Sequence, residues 1–132
     1  MVFKEELNEL TKMGKIKYMP ATEDGSLGYK GLATTLLEEV LNKMEKPDEI
    51  YACGPESMIK RVVEIALEKG IHVQALVERY MKCAIGICGS CTMDPIGIRV
   101  CVEGPVIPIE TLARITELGV YKRDSSGRKT KI

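Results

Sequence analysis

The sequence lacks tryptophan and has one phenylalanine in 132 residues, so its hydrophobic core has to be built from aliphatic side chains. It also lacks any run of about 18 apolar residues, which argues against a membrane span. Basic and acidic residues balance at 19 each, and this absence of net charge argues against binding to nucleic acid. The N-terminus is too charged for a secretory signal peptide, which favours the cytoplasm.

Apolar periodicity predicts helices that alternate with strands over the first 78 residues. Helices are predicted at residues 3–13, 32–44, 55–69 and 109–118, and strands at residues 16–19, 49–53 and 71–77. This alternation indicates an α/β fold with a parallel sheet and flanking helices. Residues 79–132 form a second, smaller part that is too irregular for its own aliphatic core and ends in a basic, solvated tail.

Four of the five cysteines fall within 19 residues, and without a secretion signal they are expected in a reducing compartment. They are Cys83, Cys88, Cys91 and Cys101. The first three follow the C-x4-C-x2-C spacing of plant-type ferredoxins, which predicts a [2Fe–2S] cluster with four thiolate ligands. Gly86 and Gly89 lie between them, where left-handed or very compact backbone is needed. Residues 94–97 are predicted to turn the chain so that Cys101 returns on a strand.

Three alternatives compete with the cluster. A structural zinc site also uses four cysteines, but it usually presents them as two short pairs, and here only Cys88 and Cys91 form one. Two disulfides are opposed by the inferred compartment. Four buried, unligated cysteines would not explain the close spacing and the intervening glycines.

Two glycine-containing loops are candidates for nucleotide binding. Cys53, Gly54 and Pro55 follow a buried strand and open a helix, where ligands bind in open α/β sheets. The alternative is a buried structural cysteine at a strand end, and the residues alone do not decide between the two. Residues 22–28 carry hydroxyls, carboxylates and amides that suit ribose or phosphate, although a solvated loop explains them as well.

Five segments, taken in order, resemble the electron-transfer subunit of type B dihydroorotate dehydrogenase, a ferredoxin–NADP reductase-like iron–sulfur flavoprotein. They read ATEDGSLGYKG, YACGPESM, ERYMKCAIGICGSC, RVCVEGPV and YKRDSSGRK. The resemblance implies electron transfer from NADH through FAD to a [2Fe–2S] cluster. From there electrons reach, or return from, the FMN of a catalytic subunit that oxidises dihydroorotate to orotate in pyrimidine synthesis.

The resemblance also assigns residues. The implied iron ligands are Cys83, Cys88, Cys91 and Cys101. The implied nicotinamide end of the NAD site is Cys53, Gly54 and Pro55, and the implied remainder is Thr22, Asp24, Gly25 and Ser26. Residues 1–78 would form the C-terminal half of an NAD-binding domain with a partial Rossmann-like sheet, and residues 79–132 a ferredoxin-like [2Fe–2S] subdomain with a basic tail.

The sequence differs from this family in the region before the first of these segments. It has neither the flavin-binding barrel motif nor the glycine-rich phosphate loop with which the NAD domain opens. We therefore expect a C-terminal portion of such a subunit, one that is not catalytically competent alone and does not bind FAD by itself. An exposed edge strand would favour a homodimer. The functional alternatives are a standalone ferredoxin-like electron carrier and a zinc-stabilised interaction domain.

Overall fold

The computed structural model describes residues 3–132 and divides the chain into two compact units. The first unit ends at Asn42, and the second spans Lys43–Ile132. Helices are combined with small sheets of two or three strands, so the fold is mixed α/β. None of the helices in residues 3–132 is long and apolar enough to cross a membrane.

The first unit consists of two helices separated by a short parallel strand pair. In chain order these elements are α1 (Lys4–Lys12), β1 (Ala21–Thr22), β2 (Tyr29–Lys30) and α2 (Ala33–Lys43). Both helices were predicted to within one residue. The strands pair Ala21 with Tyr29 and Thr22 with Lys30, in a stretch that the sequence predicts to be irregular.

The strand predicted at residues 16–19 is wrong, because the first strand begins beyond Pro20. The turn after β1 brings Gly28 so close to this proline that a Cβ atom on Gly28 would lie 2.2 Å from the Pro20 carbonyl oxygen. Tyr29 N–H then donates to the same carbonyl at 2.8 Å. The turn thus sets the strand pairing, and the strand starts after the proline rather than ending at it.

The second unit contains the remaining elements. They are β3 (Glu49–Cys53), α3 (Glu56–Lys69), β4 (His72–Leu76), β5 (Thr92–Met93), β6 (Ile98–Arg99), α4 (Val100–Glu103), β7 (Val106–Pro108), α5 (Ile109–Leu112), β8 (Tyr121–Arg123) and β9 (Lys129–Lys131). The main sheet has the order β3-β4-β7. The predicted parallel pairing of β3 with β4 is confirmed, whereas β7 joins β4 in the antiparallel sense.

Helix α3 contributes five buried residues to the core that covers this sheet. Its buried residues are Ile59, Val62, Val63, Ile65 and Ala66. Facing them in the strands are fully buried Val73, Ala75 and Ile107. Burial of each large aliphatic side chain contributes about 1.5–3 kcal/mol. The helix ends, as predicted, at Gly70, which adopts a left-handed conformation with φ 61°.

The four clustered cysteines lie in the stretch of chain that connects β4 to β7. We call this stretch, residues 78–105, the cysteine segment. Its two ends meet, since Val77 N–H donates to the Pro105 carbonyl at 2.9 Å. The predicted turn at residues 94–97 is confirmed and joins β5 to β6 as an antiparallel pair. The predicted strand for Cys101 is wrong, because the residue lies in the one-turn helix α4.

The C-terminal part also differs from prediction. The helix predicted at residues 109–118 ends at Leu112, and the chain continues in tight turns. In these turns the N–H groups of Arg114, Ile115, Leu118 and Val120 each bond to the carbonyl three residues earlier. Ile115 and Leu118 are still buried. The apolar spacing therefore identified residues of the core, but these residues do not form a helix. The tail is a β8–β9 hairpin, held where Asp94 accepts from Arg123 at 2.9 Å and from Lys129 at 2.5 Å.

Candidate functional site

The part of the cysteine segment that carries Cys83, Cys88 and Cys91 folds tightly because three of its residues adopt positive φ angles. Gly86 (φ 79°) and Gly89 (φ 69°) confirm the prediction of left-handed backbone between the cysteines. Ala84, with φ 55°, shares this conformation and carries no sequence signal for it. An L-residue there costs about 1–2 kcal/mol, so the surrounding contacts have to hold the loop in place.

The four clustered cysteines are arranged as two pairs of sulfur atoms. Cys88 N–H donates to Cys83 Sγ at 3.4 Å, and Cys91 Sγ lies 3.4 Å from Cys101 Sγ. The second distance joins two free thiols, and 3.4 Å is far longer than the disulfide bond of about 2.05 Å. The structure thus places Cys83 beside Cys88 and Cys91 beside Cys101, and the sharing of one site by all four stays a prediction.

Hydrogen bonds to sulfur favour thiolates in the first pair. The Ser90 hydroxyl, whose oxygen lies 3.4 Å from Cys88 Sγ, and the Ser90 backbone N–H lower the pKa of Cys88 to about 6, and Cys83 adds to their effect. The pKa of Cys83 is also lowered, first by the Cys88 N–H and then by the N–H of Ile85, with Ile87 adding to them. Thiolates are the form that binds metal, so this loop presents its sulfurs ready for coordination.

In the second pair, Cys101 behaves in the opposite way. The neighbouring Cys91 thiol and desolvation raise the pKa of Cys101, although the Gly86 N–H partly offsets them. Cys101 would thus lose its proton on binding a metal, as thiolate ligands generally do.

Four thiolates are what a [2Fe–2S] core takes, two on each iron, and also what a structural zinc site takes around one ion. Across residues 3–132, no three cysteine, histidine, aspartate or glutamate side chains converge closely enough to hold one metal ion. The prediction of a [2Fe–2S] cluster therefore rests on the cysteine spacing.

A salt bridge that the sequence analysis missed braces this segment. Arg99, which precedes α4, directs Nε and Nη2 to the Glu103 carboxylate and Nη1 to the Gly86 carbonyl, the last at 3.1 Å. Glu103 also accepts from the Arg99 backbone N–H at 2.6 Å and so caps α4. These bonds tie the loop that carries Cys83 and Cys88 to the helix that carries Cys101.

The predicted Cys53-Gly54-Pro55 site lies at the carboxyl end of β3. Cys53 is exposed there, so the alternative of a buried structural cysteine is wrong. Gly54 and Pro55 line a cavity of about 820 Å³ at the start of α3, within the size range of ligand pockets. Tyr80 and Met81, from the start of the cysteine segment, line the same cavity.

A buried ion pair that sequence reasoning also missed supports this cavity. The Arg79 side chain has no exposed surface and bonds to Glu56, in the first turn of α3. Glu56 Oε2 accepts from the Gly119 N–H at 3.2 Å, and Arg79 Nη2 lies 3.5 Å from the Tyr121 carbonyl. The ion pair therefore connects the start of α3, just after Cys53-Gly54-Pro55, with the start of the cysteine segment and the C-terminal hairpin.

The remaining predicted site residues belong to the first unit. Thr22 Oγ1 exchanges hydrogen bonds of 3.1 Å with the carbonyl and N–H of Leu27, and the Ser26 N–H donates to Asp24 at 2.9 Å. The Ser26 N–H is the main reason that the pKa of Asp24 is lowered. Gly25 turns the chain with φ 77°. These side chains satisfy one another, and their role in nucleotide binding stays a prediction.

Comparison with known proteins identifies the cysteine segment. Residues 78–113 match the family model of the iron–sulfur cluster binding domain of dihydroorotate dehydrogenase B. This part of the chain is therefore similar to an iron–sulfur domain of that family. The match begins at the end of β4, runs through all four clustered cysteines and ends just after α5.

Relatives extend the likeness over nearly the whole chain. The chain is 53% identical over 127 residues to a probable dihydroorotate dehydrogenase B (NAD(+)) electron transfer subunit from Methanocaldococcus jannaschii, covering 96% of this chain and 49% of the relative. A relative of the same description from Methanocella arvoryzae is 50% identical over 114 residues, or 85% and 43% of the two chains. The chain thus spans about half the length of the curated relatives it matches, and the resemblance stated from the sequence is confirmed.

A solved structure is similar in fold as well. It is the NADH-dependent reduced ferredoxin–NADP oxidoreductase, described in a study of flavin-based electron bifurcation. The TM-score is 0.63 at 27% identity, over 83% of this chain and 42% of that one. Both comparisons therefore point to electron-transfer proteins that work with an iron–sulfur cluster or a flavin.

Proposed function

We propose that this chain carries electrons between an NADH-reduced flavin and the FMN-containing catalytic subunit of dihydroorotate dehydrogenase B, through a [2Fe–2S] cluster. The observation that carries the proposal is the arrangement of four clustered cysteines as two sulfur pairs inside a segment that matches the iron–sulfur domain. The names of the relatives supply the partner and the nicotinamide cofactor.

In this proposal the cluster ligands are Cys83, Cys88, Cys91 and Cys101. The cluster, when bound, accepts and passes on one electron at a time without making or breaking covalent bonds in a substrate. The protein holds it in a fixed place and sets its potential through backbone N–H groups that point at sulfur. The Cys88 N–H already donates to Cys83 Sγ in this way, at 3.4 Å.

The proposal extends to the nucleotide side. The cavity beside Gly54 and Pro55 would receive the nicotinamide end of NADH, with Cys53 nearby and the N-terminus of α3 favouring anionic groups. Thr22, Asp24, Gly25 and Ser26 would contact the rest of the nucleotide. Residues 1–78 would then be part of a Rossmann-like NAD domain, and residues 79–132 a ferredoxin-like subdomain.

The decisive experiment begins with metal analysis of anaerobically purified protein. We expect about two irons and two acid-labile sulfides per chain, as a [2Fe–2S] cluster requires, and a visible spectrum that dithionite bleaches. A colourless protein that holds one zinc after anaerobic iron–sulfide reconstitution would contradict the proposal.

The partner is tested separately. The dithionite-reduced chain is mixed anaerobically with the FMN-containing catalytic subunit, and cluster and flavin absorbance are followed by stopped flow. We expect the cluster band to recover while the flavin is reduced, at a rate that rises with subunit concentration. A cluster that stays reduced beside a competent catalytic subunit would favour a standalone electron carrier with another acceptor.

A further inference from the structure

Arg99 contacts both halves of the proposed cluster site. Its Nη1 donates to the Gly86 carbonyl at 3.1 Å, while Nε lies 3.2 Å from Glu103 Oε1. Gly86 belongs to the loop with Cys83 and Cys88, whereas Glu103 ends the helix with Cys101. A Cβ atom on Gly86 would lie 3.1 Å from Arg99 Nη1 and 2.7 Å from Val102 Cγ2, so the loop and the helix are in close contact here.

The Gly86 carbonyl also belongs to the loop that places a hydrogen-bond donor on sulfur. Two residues beyond Gly86, the Cys88 N–H donates to Cys83 Sγ at 3.4 Å. By holding the Gly86 carbonyl, Arg99 therefore helps to fix the loop in the conformation that brings this N–H to the Cys83 sulfur.

Arg99 also lies close to the other sulfur pair. It pairs with Thr92, the neighbour of Cys91, in the β5–β6 hairpin and precedes Cys101 by two residues, and the Val100 N–H donates to the Cys91 carbonyl at 3.2 Å. Reduction of a cluster adds one negative charge to this site, and a nearby cation stabilises the more negative state. Glu103 opposes this effect because its carboxylate neutralises part of the guanidinium charge.

We propose that Arg99 is a positioning residue for the cluster. Arg99 holds the loop with Cys83 and Cys88 against α4, and its positive charge raises the reduction potential of the cluster. Glu103 has the opposite effect and lowers that potential. This inference rests on the proposed function, since it takes the four cysteines as iron ligands. It assigns opposite electrostatic effects to two residues that share one salt bridge. A purely structural bridge would not give that result, because losing either partner would break the same contact.

The test measures the midpoint potential of the anaerobically reconstituted full chain by dye-mediated titration, followed by visible absorbance and electron paramagnetic resonance. The variants are Arg99→Gln, Arg99→Lys and Glu103→Gln. Arg61→Gln is the matched control, because Arg61 forms an exposed salt bridge with Glu64 on α3, away from the cysteine segment. Iron and sulfide content is measured for every variant, so failure of the ligand assignment is seen separately from failure of this inference.

We expect Arg99→Gln to lower the ratio of reduced to oxidised cluster at a fixed potential by about threefold to tenfold, tenfold being about 59 mV for one electron. Glu103→Gln should shift the potential upward, and Arg99→Lys should stay near the wild type but lose iron faster, since lysine cannot form the guanidinium fork. Both charge shifts should shrink with salt, because the two side chains are 42% and 38% exposed.

Three results would overturn the inference. One is a full cluster in Arg99→Gln with an unchanged potential. Another is a shift of the same sign in Arg99→Gln and Glu103→Gln. If Arg99→Gln does not retain iron, the upward shift expected of Glu103→Gln still decides, and its absence counts against the proposal. A wild-type chain that binds no iron contradicts the proposed function instead.

Discussion

The cysteine segment and the loop at residues 22–28 are both rich in turn-forming residues, but they use hydrogen bonds in different ways. In the cysteine segment, the Cys88 N–H donates to Cys83 Sγ at 3.4 Å, and the N–H groups of Ile85 and Ile87 join it in lowering the pKa of this thiol. In the other loop, Thr22 and Asp24 accept from their own neighbours Leu27 and Ser26. Glycine-rich composition alone therefore does not indicate a binding site, whereas converging donors do.

Loss of one ligand should give the largest contrast between the two regions. Cys88→Ser should abolish or strongly destabilise the cluster and loosen residues 79–106, because metal binding stabilises a segment with little core of its own. Iron content, visible absorbance and thermal unfolding measure this. Cys53→Ala is the control and should keep a normal spectrum. Cluster loss in the control, or a normal spectrum in Cys88→Ser, would mean that the wrong sulfurs are assigned.

Breaking the buried ion pair should have the next largest effect. Arg79→Met leaves the Glu56 carboxylate 11% exposed and without its cation, which should cost about 3–5 kcal/mol of unfolding free energy. Denaturant unfolding followed by circular dichroism measures it. Arg61→Gln, which removes a salt bridge whose side chains are 45% exposed, should cost less than about 1 kcal/mol. Equal costs for the two variants would show that Arg79 does not connect the surrounding elements as described.

Substitution of glycine separates backbone strain from cluster binding. Gly86→Ala should cost about 1–2 kcal/mol for its positive φ and more for the contact with Val102, and it should weaken iron retention. Gly97→Ala has a similar φ of 72° with no atom near its Cβ, so it should cost only the backbone term. Gly28→Ala, in the first unit, should reduce stability without changing the cluster spectrum. A spectral change in Gly28→Ala would break the comparison between the two regions.

The smallest expected effect is on pH dependence. Lys129, followed by Arg123, lowers the pKa of Asp94, so this carboxylate stabilises the fold above its unfolded pKa and loses that effect as pH falls through the lowered folded value. In Asp94→Asn the free energy of unfolding should therefore depend less on pH below about pH 4. At neutral pH this variant should lose no more than about 1 kcal/mol of unfolding free energy. Acid titration of thermal stability measures this. Asp24→Asn, whose carboxylate bonds only within its own loop, should leave the hairpin unaffected.

The sequence was most informative where covalent spacing limits geometry. Three cysteines separated by four and two residues have to share a loop, and glycine between them implies left-handed backbone, so Gly86 and Gly89 were predicted. Ala84, Arg79 and Arg99 were not, because nothing in an alanine indicates positive φ. Nothing in an arginine reveals a partner that lies 23 residues away, as Glu56 does from Arg79.

Fold predictions failed where tertiary contacts override local pattern. Apolar spacing at residues 109–118 indicated a helix, yet Ile115 and Leu118 reach the core from turns. The strand expected at residues 16–19 lies after Pro20, because a close contact with Gly28 sets the register. The long central elements α3, β3 and β4 were predicted to within a residue or so, since their periodicity and their glycine boundaries agree.

The hydrogen bond between Val77 and Pro105 has an evolutionary consequence. It closes the cysteine segment at its base, so the whole excursion enters and leaves the main sheet at a single place between two neighbouring strands. An insert whose ends meet can be exchanged without disturbing the scaffold that carries it. Because of this geometry, recombination can exchange the whole segment between reductases as one unit. Removal of the segment would leave β4 and β7 as an ordinary β-hairpin.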